Sequence, residues 1–260
     1  MASLDTDKRA GIGWITFNNP AKRNAVTYAM WRALPEALRA FDADPEVRAI
    51  VLTGAGEAAF ISGADISEFG AARGSADGQE LYNSAVVAAF EAPAACSKPV
   101  LAAVRGLCYG GGLGLAAACD LRFASADARF RMPAARLGVG YNYPGIKRFV
   151  DLIGPGRTQD LFFSARVFDA AEALALGFVN RVWSNVEFAA GLNAYCDQLA
   201  ENAPLTLRSV KAMVRAHAAG PGARDLAALE ELVRQCAASA DFREGQAAFR
   251  EKRAPVFRGC

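Results

Sequence analysis

The sequence predicts an α/β body followed by an all-helical C-terminal part, and three observations carry that prediction. Short β-type runs alternate with helical runs through the first two-thirds of the chain. One of those runs, residues 99–104 (PVLAAV), contains no polar residue, the pattern of a strand covered on both faces. From about residue 187 onward only helical periodicity remains. The division expected is a body over residues 1–190 and a helical region over 191–260.

The elements follow in order. Residues 11–17 (GIGWITF) alternate as a strand does and end in the turn signal Asn18-Asn19-Pro20. Thr27 precedes a helix in which Met30, Leu34, Leu38 and Phe41 recur at threes and fours. The run 49–53 (AIVLT) is a strand stopped by Gly54-Ala55-Gly56, and residues 79–95 form a helix that ends before Ser97-Lys98-Pro99. Residues 121–124, 128–132 and 178–183 are further strands, the last following a helix over 170–176 that stops at Gly177. Helices are then expected over 187–202, 204–218, 226–237 and 244–252, with Gly220-Pro221-Gly222 as the clearest break.

Composition excludes several classes of protein. The chain has 260 residues, 56 of them alanine, with 29 basic against 27 acidic side chains and a net charge of +2. A near-balance of charge argues against a chain that coats phosphate backbones, so no nucleic acid is expected as partner. No apolar stretch approaches the ~20 residues of a membrane helix. Residues 1–11 show no apolar core flanked by basic residues, so no secretory signal is expected. Six scattered cysteines without a CxxC pair, and one histidine, His217, leave no zinc pattern. The expectation is a cytoplasmic protein with neither a metal nor a membrane.

Two glycine-rich turns stand out. Residues 105–114 (RGLCYGGGLG) follow a buried strand and lead into an apolar helix. Consecutive glycines permit backbone angles closed to other residues, and free N–H groups at a helix start favour negative charge. Close packing of strand, turn and helix would account for the same glycines. Residues 59–66 (AFISGADI) form a second such turn, where Asp65 could act as a cap. Amides from two turns converging on one point would hold a developing oxyanion, each contributing roughly 3–4 kcal/mol to a barrier. Spacing alone cannot show convergence.

Together with Asn19-Pro20-Ala21-Lys22-Arg23-Asn24-Ala25, Cys119-Asp120-Leu121-Arg122 and the tail 244–253 (EGQAAFREKR), these turns resemble the crotonase (enoyl-CoA hydratase/isomerase) superfamily, in the same order along nearly the whole chain. The resemblance implies a crotonase-like spiral of ββα units with a helical C-terminal trimerisation region, assembled as a homotrimer or dimer of trimers. It implies an acyl-CoA thioester as substrate, with coenzyme A arriving as part of that substrate and no separate cofactor. The two enolate-holding N–H groups would be those of Ala64 and Gly111. Lys22, Arg23 and Ala25 would line the coenzyme A entrance, and Ser62, Asp65, Ile66 and Gly110 would lie along the bound coenzyme. Phe249 and Lys252 match tail positions that reach coenzyme A in a neighbouring subunit.

The departures bear on the reaction. Hydratases of this superfamily carry glutamates where this chain has Gly114 and Ala134, and neither residue can move a proton. The run 137–142 (LGVGYN) resembles methylmalonyl-CoA decarboxylase, which uses a tyrosine at the position of Tyr141 to hold the substrate carboxylate. That enzyme has a histidine at the position of Ala64. The reading is therefore an acyl-CoA lyase working through a thioester enolate, with decarboxylation of a malonyl-type thioester ahead of hydration or isomerisation by unusual groups, and of an inactive acyl-CoA-binding protein. Tyr109, Arg136, Glu68 and Asp120 are read as pocket wall, ion-pair partner, solvated face and structural hydrogen bond respectively.

Overall fold

The computed structural model describes residues 2–68 and 76–260, and the side chains of Ile66 and Ala76 lie outside the described residues. A polar hairpin opens the chain, β1 (Ser3–Arg9) pairing antiparallel with β2 (Ile12–Asn18) across a turn in which Ala10 and Gly11 both have positive φ. Then come α1 (Tyr28–Ala43) and three successive units of one design. Each has a strand in a large sheet, a short strand in a second sheet, and a helix. The first unit is β3 (Ala49–Gly54), β4 (Ala59–Ile61) and α2 (Ala76–Ala95). The second is β5 (Val100–Val104), β6 (Leu107–Tyr109) and α3 (Gly111–Ala118), and the third is β7 (Leu121–Ser125), β8 (Arg129–Arg131) and α4 (Ala134–Leu137). Helices α5 (Tyr143–Ile153) and α6 (Pro155–Ser164), strand β9 (Val167–Asp169), helix α7 (Ala170–Ala175) and strand β10 (Arg181–Trp183) complete the body.

The large sheet runs β1-β2-β3-β5-β7-β10, parallel from β2 onward, and the small one runs β4-β6-β8-β9. The side-chain period of two sends Ile50, Leu52, Val100, Ala102 and Val104 into the main core, while Ala49, Val51, Leu101 and Ala103 enter a second layer. That second layer is closed by Phe188, Leu192 and Cys196 of α8 (Phe188–Ala200). Both faces are thus covered, which is why residues 99–104 carry no polar side chain. The boundary expected at residue 190 falls inside α8, and this helix packs on the sheet as part of the body.

Beyond it lie α9 (Pro204–Ala219), α10 (Leu226–Ala238) and α11 (Ala240–Glu251). One half-buried contact pins this region to the body. Lys211 on α9 donates to the carbonyls of Pro93 (2.7 Å) and Lys98 (2.8 Å) and pairs with Asp120 at 2.7 Å, which uses all three ammonium protons. Asp120 also accepts from Val100 N at 2.7 Å, the structural role read from its position at the end of an apolar helix.

The end of α2 is held by Asp42, whose Oδ1 accepts from Cys96 Sγ and from the backbone and hydroxyl of Ser97 and the backbone of Lys98. Burial works to raise its pKa, but those donors outweigh it and hold Asp42 below the ordinary 3.8. A carboxylate depressed in the folded state stabilises above the unfolded value and loses that contribution as pH falls through the folded one. Asp42→Asn is therefore expected to flatten the acid limb of stability against pH, with denaturant midpoints of variant and parent converging as pH falls through the depressed folded-state pKa.

Candidate active site

The small sheet explains how residues far apart in sequence meet. Strands β4, β6 and β8 are parallel neighbours, so the segments that leave their C-terminal ends emerge side by side. Those segments are Ser62-Gly63-Ala64, Gly110-Gly111 and Met132-Pro133-Ala134, and all of them line one cavity of about 540 Å³. Gly63 (φ 124°) and Gly110 (φ 53°) make the turns possible, and a Cβ on Gly110 would stand 4.0 Å from Gly63 Cα.

Peptide planarity sets the direction of the two amides. Gly63 O accepts from Val26 N at 2.9 Å, so the N–H of Ala64, trans across the same peptide, points away from Val26. Gly110 O accepts from Gly114 N at 3.0 Å, so the N–H of Gly111 points out of the helix start. Neither N–H donates to a described acceptor. They face a common space: a Cβ on Gly111 would lie 3.9 Å from Ala64 N. The Trp31 ring lies 3.2 Å from that same Cβ position and bounds the space, steadied by its Nε1 donating to Tyr82 Oη at 3.1 Å.

Positions 114 and 134 are the next question. A Cβ on Gly114 would stand 2.7 Å from Tyr141 Oη and 3.0 Å from Phe90 Cζ. The phenol therefore fills the room a side chain at 114 would need. A Cβ on Gly145 would come 2.8 Å from the same ring, so Tyr141 lies between two glycines, edge-on to Phe162 at 5.2 Å. Burial pushes its pKa up to about 12, opposed by Arg148, so it stays a neutral donor at ordinary pH. Its hydroxyl has no hydrogen-bond partner among the described residues. Ala134 is buried at the cavity wall. Among the described residues the lining holds no Asp, Glu, His, Lys or Arg.

The entrance residues are tied to the same turn. Ser62 N donates to Arg23 O and Ser62 Oγ to Lys22 O, both at 3.1 Å. Asn24, quoted in the sequence motif without a role of its own, anchors both loops: its buried amide donates to Ala59 O (2.7 Å) and Ala55 O (3.0 Å) and accepts from Asn19 N. Asp65 is only 5% exposed and is turned inward, taking Lys22 Nζ at 2.7 Å and the backbone and hydroxyl of Ser67. Burial raises its pKa, but Lys22 and Ser67 more than offset this and keep it ionised. Its side-chain oxygens thus hold Lys22 and the turn. Ala25 is buried beside it, whereas Arg23 is exposed. Ile66 opens a short 3-10 turn, Ile66–Glu68, and its side chain is outside the described residues. Glu68, read as a solvated face, instead accepts from Tyr28 N at 2.7 Å and caps α1. Phe249, 86% exposed, and Lys252 lie on or next to α11 and do not line the cavity of this chain. Burial pushes the Cys108 thiol well above its usual range, which removes it as a nucleophile.

Besides Trp31 on α1, six cavity residues of α2 were missed by reading the chain alone: Gln79, Tyr82, Asn83, Val86, Val87 and Phe90. Their threes-and-fours spacing on α2 was the available signal.

Successive strand–strand–helix units thus carry parallel turns that aim two backbone amides into one cavity. The chain belongs to the enoyl-CoA hydratase/isomerase family, which matches residues 7–260. It is 32% identical to the short-chain-enoyl-CoA hydratase of Clostridium acetobutylicum over 249 residues, covering 95% of this chain and 94% of that one. It is 34% identical to the carnitinyl-CoA dehydratase of Salmonella typhi over 261 residues, covering 99% and 98%. The crystal structure of an enoyl-CoA hydratase/carnithine racemase from Magnetospirillum magneticum superposes with a TM-score of 0.92 at 34% identity, covering 100% of this chain and 97% of that chain. The expected crotonase-type fold is the one observed. No helix among the described residues is long and apolar enough to cross a membrane.

Proposed function

We propose that the Ala64 and Gly111 amides hold the thioester oxygen of an acyl-CoA while it carries enolate charge, and that loss of CO₂ from a malonyl-type thioester creates that charge. One observation carries the reading: Tyr141 Oη occupies the room of a side chain at position 114, in a cavity whose described lining has no carboxylate. Hydration needs a base for water and an acid for carbon. Decarboxylation needs no base, because the electron pair of the breaking carbon–carboxylate bond passes into the enolate and CO₂ departs. The α-carbon then takes one proton, which the neutral Tyr141 phenol would supply, and water restores it. Lys22 and Arg23 would meet the coenzyme's phosphates, and Phe249 and Lys252 would act in a trimer, across a subunit boundary.

A second reading, hydration or dehydration over the same two amides, is favoured by the relatives, two of which are named a hydratase and a dehydratase. Purified protein offered methylmalonyl-CoA and crotonyl-CoA separates the two. CO₂ release with no fall in enoyl absorbance is the expected result, and rapid loss of that absorbance would overturn it. Tight thioester binding without any turnover would point to an acyl-CoA-binding protein.

A further inference from the structure

We infer that Gln79 and Asn83 form a neutral amide clamp that selects thioesters carrying an anionic group on the α-carbon. The inference rests on the enolate chemistry proposed above and adds to it the residues that choose the substrate. Residues 79, 82, 83, 86, 87 and 90 all face the cavity from one side of α2. Four of them are aliphatic or aromatic. The two amides lie one helical turn apart, toward the start of the helix.

Gln79 Nε2 donates to Asn83 Oδ1 at 2.8 Å. This engages the oxygen of Asn83 and leaves both N–H groups of its Nδ2 without a partner among the described residues. Pairs at i,i+4 are ordinary on the outer face of a helix. This pair shares a cavity with Ala64, Gly111 and Tyr141, whose hydroxyl is likewise uncommitted. Asn83 is exposed and Gln79 half-buried, which puts the clamp toward the open side of the cavity.

Neutral donors suit a departing carboxylate. A guanidinium would stabilise the ground-state carboxylate strongly and lose that interaction as the charge moves to the thioester oxygen, which raises the barrier. Amide N–H groups orient the same anion at a smaller cost when it leaves. Asn83 would touch the anion, and Gln79 acts through Asn83 as a positioning residue.

Calorimetry on the full chain tests this with two probes, 2-sulfopropionyl-CoA, whose sulfonate cannot leave as CO₂, and propionyl-CoA. The unaltered protein is expected to bind the sulfonated ester roughly tenfold more tightly, the scale of a hydrogen bond to a charged group. Asn83→Leu should erase that preference, Asn83→Asp should reverse it through like-charge repulsion, and Gln79→Leu should weaken it. Affinity for propionyl-CoA should stay within about twofold throughout, which also reports that the variants fold. A preference that is absent at the outset, or that survives both Asn83 variants, overturns the clamp, as does a parallel loss of both ligands. If the preference depends on Asn83 but methylmalonyl-CoA releases no CO₂, the clamp stands and decarboxylation falls. If CO₂ is released while the preference ignores Asn83, only the clamp falls.

Discussion

Tyr141→Phe is expected to slow CO₂ release from methylmalonyl-CoA by about 10²-fold or more, the contribution of a positioned acid. The ring keeps its place between Gly114 and Gly145 and against Phe162, so packing survives and only the hydroxyl is lost. That hydroxyl has no partner among the described residues, so its removal leaves no described donor or acceptor unpaired. The effect should therefore fall on kcat, with thermal stability unchanged. With a pKa of about 12, Tyr141 stays protonated through the neutral range, and any rate it supports should be lost only as pH rises toward that value. Steady-state rates from pH 6 to 10 check both points. Unchanged rates in the variant would remove Tyr141 from the mechanism.

Lys211→Ala is expected to cost about 3 kcal/mol of stability, because it leaves the half-buried Asp120 carboxylate with its cation gone. Burial already pushes the Asp120 pKa up, and Lys211 is the chief group opposing that rise. Two backbone carbonyls, of Pro93 and Lys98, lose their donor at the same time. At roughly 2–4 °C per kcal/mol for a chain of this size, the midpoint should fall by roughly 6–12 °C. Adding Asp120→Asn should recover part of the loss, since it removes the stranded charge. Urea unfolding of the two variants measures it. A shift below about 1 kcal/mol would mean that α9 is held elsewhere.

Much of the fold was legible because its strands are short and apolar and its helices strongly periodic. The run 49–53, the run 99–104 and the four late helices all fall where expected, within a few residues. The first strand was not, because Ser3–Arg9 is a charged, largely exposed edge with no apolar alternation to betray it. Helix α5 was hidden by Tyr143-Pro144-Gly145, which reads as a turn. Asn142 converts it into a helix start by accepting from Gly145 N at 2.9 Å.

By itself the sequence determined the alternation of strands with helices, the two small-residue turns and the absence of a carboxylate at positions 114 and 134. These are properties of single positions or of neighbours along the chain, where periodicity and residue type act directly. Only the tertiary structure decided that the Ala64 and Gly111 amides share a space, that the Tyr141 phenol fills the room beside Gly114, and that one face of α2 closes the cavity. Each depends on the parallel register of β4, β6 and β8, which brings together segments dozens of residues apart. Strand pairing of that kind is set by the packing of the whole core, and no local pattern records which loops will emerge side by side.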